Sequence, residues 1–180
     1  MDYFLKKFKL PEQREGRVKN FFDTITLNNH QKKELTIELE IGCGHGHWLN
    51  AYSESFPDKI CIGIDLISKR ILKSNLKKKR KENKNLYFLK TSASDFFNYK
   101  PKQLKISKTF IFFPDPWPKK KHHKRRLIQP SFLETLRFHS TQENQLFFRT
   151  DHSEYFTWSK NHIEQSKYWN LTKIKYHQLL

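Results

Sequence analysis

Residues Glu40-Ile41-Gly42-Cys43-Gly44-His45-Gly46 place three glycines at alternate positions behind an apolar run, Leu35 to Ile41, whose apolar side chains fall at 35, 37, 39 and 41. No other stretch constrains the fold so tightly. A strand that turns on glycine into a helix, expected from about His45 to Ser55, must cross over before it can pair again in parallel. The pattern then repeats. Ile60 to Leu66 reads as a second strand, and Ser68 is placed to cap a helix whose apolar positions Ile71, Leu72 and Leu76 form one stripe. Leu86 to Leu89, Phe110 to Phe113 and Leu146 to Thr150 read as the third, fourth and fifth strands, with helices expected around Pro130 to Phe138 and Ser153 to Gln165. Trp169 to Tyr176 is a candidate further strand. Strand and helix in alternation predict an α/β domain on a mostly parallel sheet.

The glycine turn also narrows the ligand. Glycine lets the backbone turn sharply and a ligand approach closely, and Asp65, at the end of the second strand, is placed to accept hydrogen bonds from vicinal ribose hydroxyls. Two nucleoside cofactors suit that arrangement, a dinucleotide or S-adenosylmethionine. The dinucleotide fingerprint is Gly-x-Gly-x-x-Gly, and here the third glycine comes one residue early. Glu40 would repel a pyrophosphate but attract the ammonium and sulfonium charges of S-adenosylmethionine, so the methyl donor is favoured.

Charge points to the partner. The chain of 180 residues is about one domain long and carries 35 Lys and Arg against 18 Asp and Glu, a formal net charge of +17. A polyanion is the natural complement, although lysine on a solvated surface is equally what an AT-biased genome would produce. Cys43 and Cys61 lie in apolar, strand-like surroundings without metal-ligand spacing, and are expected as buried free thiols of a reducing cytoplasm. No apolar run reaches the roughly 18 to 20 residues of a membrane span, and Met1 to Lys9 has no signal-peptide core, so a soluble cytoplasmic protein is expected. The segment Asp2 to Lys19 mixes Phe4, Phe8 and Leu10 with basic residues and two breakers, Pro11 and Gly16, and reads as a mobile arm unless bound to something anionic.

The segment Phe113-Pro114-Asp115-Pro116-Trp117-Pro118-Lys119-Lys120-Lys121-His122-His123-Lys124-Arg125-Arg126-Leu127 sets a proline-stiffened acid and aromatic against a basic block. It follows the fourth strand, where open α/β sheets bind ligands. The prolines hold Asp115 and Trp117 in place beside the basic block, as an enzyme acting on a nucleic-acid base would need. Trp117 either stacks on a base or packs beneath the loop. Lys119 to Lys121 and Lys124 to Arg126 are candidate phosphate contacts. Adjacent His122 and His123, with no Cys or carboxylate at ligand spacing, are poor chelators, so no metal is expected. Asp151 ends the fifth strand on the same sheet edge as Asp115 and is placed either to face one pocket with it or to cap the helix from Ser153.

These residues resemble the bacterial tRNA (guanine-N7-)-methyltransferase family. The match runs through Glu40 to Gly46, Gly63-Ile64-Asp65-Leu66, Pro114 to Leu127, and Thr150-Asp151 followed by Tyr155, and covers roughly Glu34 to Trp158. The resemblance implies a Rossmann-like class I methyltransferase fold, a mostly parallel sheet with helices on both faces, that methylates N7 of a guanosine in the tRNA variable loop. It further implies a basic arm and first helix over 1–33 and an S-adenosylmethionine-dependent domain over 34–180, with a monomer expected and a dimer left open. Carried over by position, Glu40, Gly42, Gly44, Gly46, Asp65, Ser92 and Asp115 would bind the donor. Asp115 would act at the reacting centre, and Lys119, Asp151, Trp117, His123, Arg125 and Arg126 would bind substrate.

The sequence departs from the family at Lys90-Thr91-Ser92-Ala93-Ser94-Asp95, where Ser92 stands at the position of an acid that reads the adenine amine. Asp95 would have to substitute from three residues on. The tail reads Thr172-Lys173-Ile174-Lys175-Tyr176-His177, without the family's Thr-x-x-Glu segment. A catalytically lapsed tRNA-binding homologue is therefore the alternative, and a nicotinamide-dependent oxidoreductase a more distant one.

Overall fold

The computed structural model describes residues 11–28 and 35–172. Helix α1 (Pro11–Asn28) precedes strand β1 (Thr36–Ile41), followed by α2 (His47–Ser55), β2 (Ile60–Asp65), α3 (Ser68–Lys81), β3 (Leu86–Lys90), α4 (Ala93–Tyr99) and β4 (Lys105–Phe112). A short 3-10 helix (Lys120–Arg125), α5 (Pro130–Phe138), β5 (Ser140–Arg149) and α6 (Ser153–Glu164) complete the described elements. The five strands pair in parallel in the order β3-β2-β1-β4-β5.

That order follows from handedness. Right-handed crossovers carry β1 to β2 to β3 in one direction and β4 to β5 in the other, which places their helices on opposite faces. Ile37, Leu39, Ile41, Ile62 and Ile64 meet α1, α4, α5 and α6 on one face, through Val18, Phe22, Ile25, Phe96, Leu133, Leu136 and Tyr155. Cys61, Leu86 and Phe88 meet Leu49 of α2 and Ile71 of α3 on the other. β1 and β2 are buried on both sides, as a covered parallel strand must be. Reversal of strand order between β1 and β4 opens a crevice at their carboxyl ends, beyond Ile41 and Phe112.

Four expectations change. Ser68 does not cap α3: the cap is Ile67, with no side-chain bond, and the carboxylate oxygen Asp65 Oδ1 instead accepts from Ile67 N at 2.7 Å. The α3 stripe is also narrower than expected, because Leu72 and Leu76 are 62% and 50% exposed and only Ile71 and Ser74 face inward. Apolar spacing in a lysine-rich helix cannot reveal which stripe the sheet covers. Pro11 to Lys19 is not an arm but the first half of α1, its Val18 in the core; Pro11 opens the helix, where a missing N–H costs nothing. The remainder of that segment, Asp2 to Leu10, lies outside the described residues. Helix α4 went unanticipated, because seven residues are too few for a periodic signal. No strand forms over Trp169 to Thr172; Trp169 is buried, its indole donating to Leu133 O at 2.9 Å, and 173–176 lie outside the described residues.

Candidate active site

The crevice is a cleft of about 490 Å³ lined by the ends of four neighbouring strands. Ile41 and Gly42 follow from β1, Ile64 to Ile67 from β2, Thr91 to Ser94 from β3, and Phe112 to Asp115 with Trp117, Arg125 and Leu127 from β4 and its loop. Gly42, Asp65, Ser92, Asp115, Trp117 and Arg125 are therefore brought to one cavity, as their positions at strand ends require.

On the β1–β2 side the turn is locked by its own backbone. Gly42 N and Cys43 N both donate to Ile64 O, at 2.8 and 3.0 Å, and Gly46 N donates to Cys43 O at 2.8 Å. Gly44 N donates to Asp65 Oδ2 at 3.1 Å. Four amides of the turn are thus spent internally, which leaves the turn itself few N–H groups to offer a pyrophosphate. Gly46 has a structural role rather than a contact role: at φ +66°, a Cβ there would stand 2.5 Å from Phe88 Cζ. At Gly42 a Cβ would meet nothing within 4 Å, so the space above the turn is open to a ligand.

Glu40 is 5% exposed, outside the cleft's lining, and its Oε2 is buried without a hydrogen-bond partner. Burial, reinforced by the nearby Asp65 carboxylate, pushes its carboxyl up to about 8. An orphaned buried carboxylate beside a second one is an arrangement that a cationic group relieves. It fits the ammonium of S-adenosylmethionine and disfavours a phosphate. Asp65 is 6% exposed and knits the two turns together through Ile67 N, Gly44 N and Arg70 Nη1, the last at 3.5 Å. Oδ2 accepts from both Gly44 and Arg70, and Oδ1, which accepts only from Ile67, retains a lone pair for a ribose hydroxyl. Arg70 lines the cleft and escaped sequence reading, although the first turn of a helix starting at Ser68 returns it over Asp65. Burial also raises both thiols, Cys61 to about 12, and neither cysteine is paired.

Ser92 caps α4, its Oγ accepting from Asp95 N at 3.0 Å, and it faces the cleft as well. Asp95 does not take over the adenine contact expected of it: it pairs with Arg14 of α1 at 3.4 Å and is absent from the lining. A helix that starts at Ala93 turns Asp95 away from the strand end.

The β4 loop departs furthest from expectation. Asp115 is exposed at the cleft, and the face of Trp117 lies 5.0 Å below the Arg125 guanidinium. Phe113, 63% exposed at the same wall, is a second aromatic surface that its place inside an apolar run concealed. Arg126 is not a phosphate contact: it is 2% exposed and holds Glu154 in a bidentate pair at 3.0 and 2.9 Å. His123 also turns inward, its side chain 15% exposed, its ring against Trp158 and Nε2 3.7 Å from Glu154 Oε1. Residues three apart on a 3-10 turn and its cap share one face, and His123 and Arg126 turn that face to α6. Lys119 is exposed outside the lining, and its carbonyl accepts from His122 N at 2.7 Å. Asp151 is exposed, neither lining the cleft nor capping α6; the cap is His152, whose Nδ1 accepts from Tyr155 N at 3.2 Å.

Residues 34–178 match the protein family described as "Putative methyltransferase". The chain is 38% identical over 155 residues to the tRNA (guanine-N(7)-)-methyltransferase of Prochlorococcus marinus subsp. pastoris, covering 82% of this chain and 74% of that protein. To the protein of the same name from Wolbachia pipientis it is 29% identical, over 99% of this chain and 79% of the relative. Among solved structures it is similar to precorrin-6y C5,15-methyltransferase from Geobacter metallireducens, at 12% identity and a TM-score of 0.57, over 78% of this chain and 68% of that one. An antibiotic-related methyltransferase matches at a TM-score of 0.53 and 19% identity, over 79% of this chain and 72% of that one. The structural likenesses bear on fold alone.

Proposed function

Because the chain belongs to the bacterial tRNA (guanine-N(7)-)-methyltransferase family, we infer that it moves a methyl group from S-adenosylmethionine to N7 of a guanosine in tRNA. The observation that carries this reading is the meeting of Gly42, Asp65 and Asp115 in one cleft, with the orphaned Glu40 carboxylate buried one residue before Ile41 of the lining. When bound, S-adenosylmethionine supplies an electrophilic methyl on a sulfonium. Glu40 would hold its ammonium and Asp65 its ribose, while Ser92 and Ser94 offer hydroxyls at the end of β3, where the adenine would lie.

N7 of guanine has an exposed lone pair and no proton, so methylation needs alignment rather than a general base. As the N7–carbon bond forms and the carbon–sulfur bond breaks, the purine becomes cationic. Asp115, accepting from N1–H and the exocyclic amine, selects guanine and stabilises that developing charge. Phe113 and Trp117 supply faces for the base. Lys120, Lys121, Lys124 and Arg125, all exposed beside the cleft, meet phosphates, and Lys119 and Asp151 stand on the loops at the carboxyl ends of β4 and β5 as further substrate contacts. Among the described residues no helix is long and apolar enough to cross a membrane, and a tRNA substrate supports a cytoplasmic location.

The direct test incubates the protein with unmodified tRNA and methyl-labelled S-adenosylmethionine and maps the label. Label at N7 of a variable-loop guanosine is expected. Binding of tRNA without transfer would overturn the reading in favour of a lapsed RNA-binding homologue.

A further inference from the structure

Asp115 sits in a backbone that its neighbours do not favour. Phe113 and Trp117 flank it at φ +51° and +45°, the left-handed region that bulky side chains seldom adopt and that persists only where surroundings over-determine it. The segment has little means of holding itself. Pro114, Pro116 and Pro118 carry no N–H, so only Asp115 and Trp117 have amides to donate. The restraint must come from outside.

At the Phe113 end it is backbone, Phe113 N donating to Arg149 O at 2.8 Å. At the Trp117 end it is a side chain. Arg126 Nε donates at 2.8 Å to the carbonyl of Pro116, the residue between Asp115 and Trp117. The rest of the guanidinium is fixed by the bidentate Glu154 pair and lies 5.1 Å from the rings of both Tyr155 and Trp158. Tyr155 Oη accepts from Leu127 N and Ile128 N, at 3.1 and 3.3 Å, and Trp158 Nε1 donates to Ile128 O at 3.0 Å. The first turns of α6 thereby grip the far end of the same loop.

We propose that Arg126 and Glu154 are positioning residues: together they fix the Pro116 carbonyl and so aim Asp115 and Trp117 into the cleft. The proposal rests on the methyltransferase reading for what Asp115 then does. Stability alone is a poor reason for the pair. The guanidinium is buried while its carboxylate partner is half exposed, so the pair is partly screened and adds little stability that an apolar side chain of similar volume would not. An apolar side chain cannot donate to Pro116 O, and a lone arginine, without Glu154 to orient its fork, would not hold Nε on line.

Two variants separate positioning from support. Arg126→Met fills the space between Tyr155 and Trp158 without a donor, and Glu154→Gln keeps shape while removing the charge that orients the fork. For both, affinity for S-adenosylmethionine by calorimetry should stay within about twofold of the parent, since the β1–β2 turn is untouched. The kcat on tRNA should fall by about 10- to 100-fold, as for a reacting group displaced by an ångström or so. Amide exchange of Trp117 and of 119–125 should accelerate while that of β1 to β3 is unchanged. Arg126→Met should keep its thermal midpoint, and Asp115→Ala/Glu154→Gln should be no slower than Asp115→Ala alone. Unchanged loop exchange in both variants would overturn the proposal, as would activity and donor affinity falling together with the thermal midpoint. Accelerated exchange in a protein whose parent transfers no methyl would uphold the clamp and refute the methyltransferase reading instead.

Discussion

On the β1–β2 side of the cleft, Gly42 and Cys43 both donate to Ile64 O and Gly44 to Asp65, so the turn is set by bonds between residues at the ends of two paired strands. On the β4 side, the Pro114–Pro118 segment has two amides to offer and is held by Arg126 on Pro116 O, while Glu154 and Tyr155 of α6 fix Arg126 and the end of the same loop at Leu127 and Ile128. The first wall is made by topology and the second by side chains. A wall made by topology fails only where a glycine or a buried carboxylate is replaced. A wall hung from side chains can lose its aim while the fold stands.

The sharpest break between the two comes at Asp115. Asp115→Ala should lower single-turnover transfer by about 10²- to 10³-fold, the range for removing one electrostatic partner of a transition state, with donor affinity unchanged by calorimetry. Parent-like transfer would remove Asp115 from the reacting centre.

Glu40→Gln tests the opposite wall. Loss of a charge-assisted hydrogen bond should weaken donor binding by about 10- to 100-fold. The pH dependence carries its own signature. Folding raises this carboxyl, so its contribution to stability is complete below the unfolded value of 4.5 and is lost as pH climbs through about 8. The thermal midpoint of the ligand-free protein should therefore decline across that window more steeply than that of Glu40→Gln, while donor affinity rises as the carboxylate ionises. Identical profiles would mean that Glu40 titrates normally.

Gly46→Ala probes packing on the same side. The Phe88 ring must move and the left-handed backbone becomes strained, so a loss of about 1–2 kcal/mol in denaturant unfolding is expected. Smallest of all, Lys121→Ala should leave kcat intact and reduce the salt dependence of tRNA binding by about one unit of slope. An unchanged slope would take Lys121 off the RNA path.

Much of the cleft was legible because strand ends are legible. A strand that terminates in Ile41, Asp65 or Phe112 delivers the next residues to one sheet edge, whatever the helices do. Legibility ended where a side chain had to choose between two environments. Arg126 and His123 read as part of a basic run, yet Glu154, Tyr155 and Trp158 lie in a helix some thirty residues on, and nothing in the run foretells that they will claim two of its members. Asp95 was lost to Arg14 in the same way, and Leu72 and Leu76 lost to solvent.

By itself, the sequence determined the alternation of strand and helix, the parallel sheet, and the glycine turn with its two carboxylates. All of these rest on local periodicity and on handedness, which act within one crossover. Only the tertiary structure decided which cations are exposed and which are buried, and what holds the segment between left-handed Phe113 and Trp117 around Asp115. Those outcomes depend on contacts between residues far apart in the chain, where one carboxylate or one aromatic ring is enough to redirect an arginine.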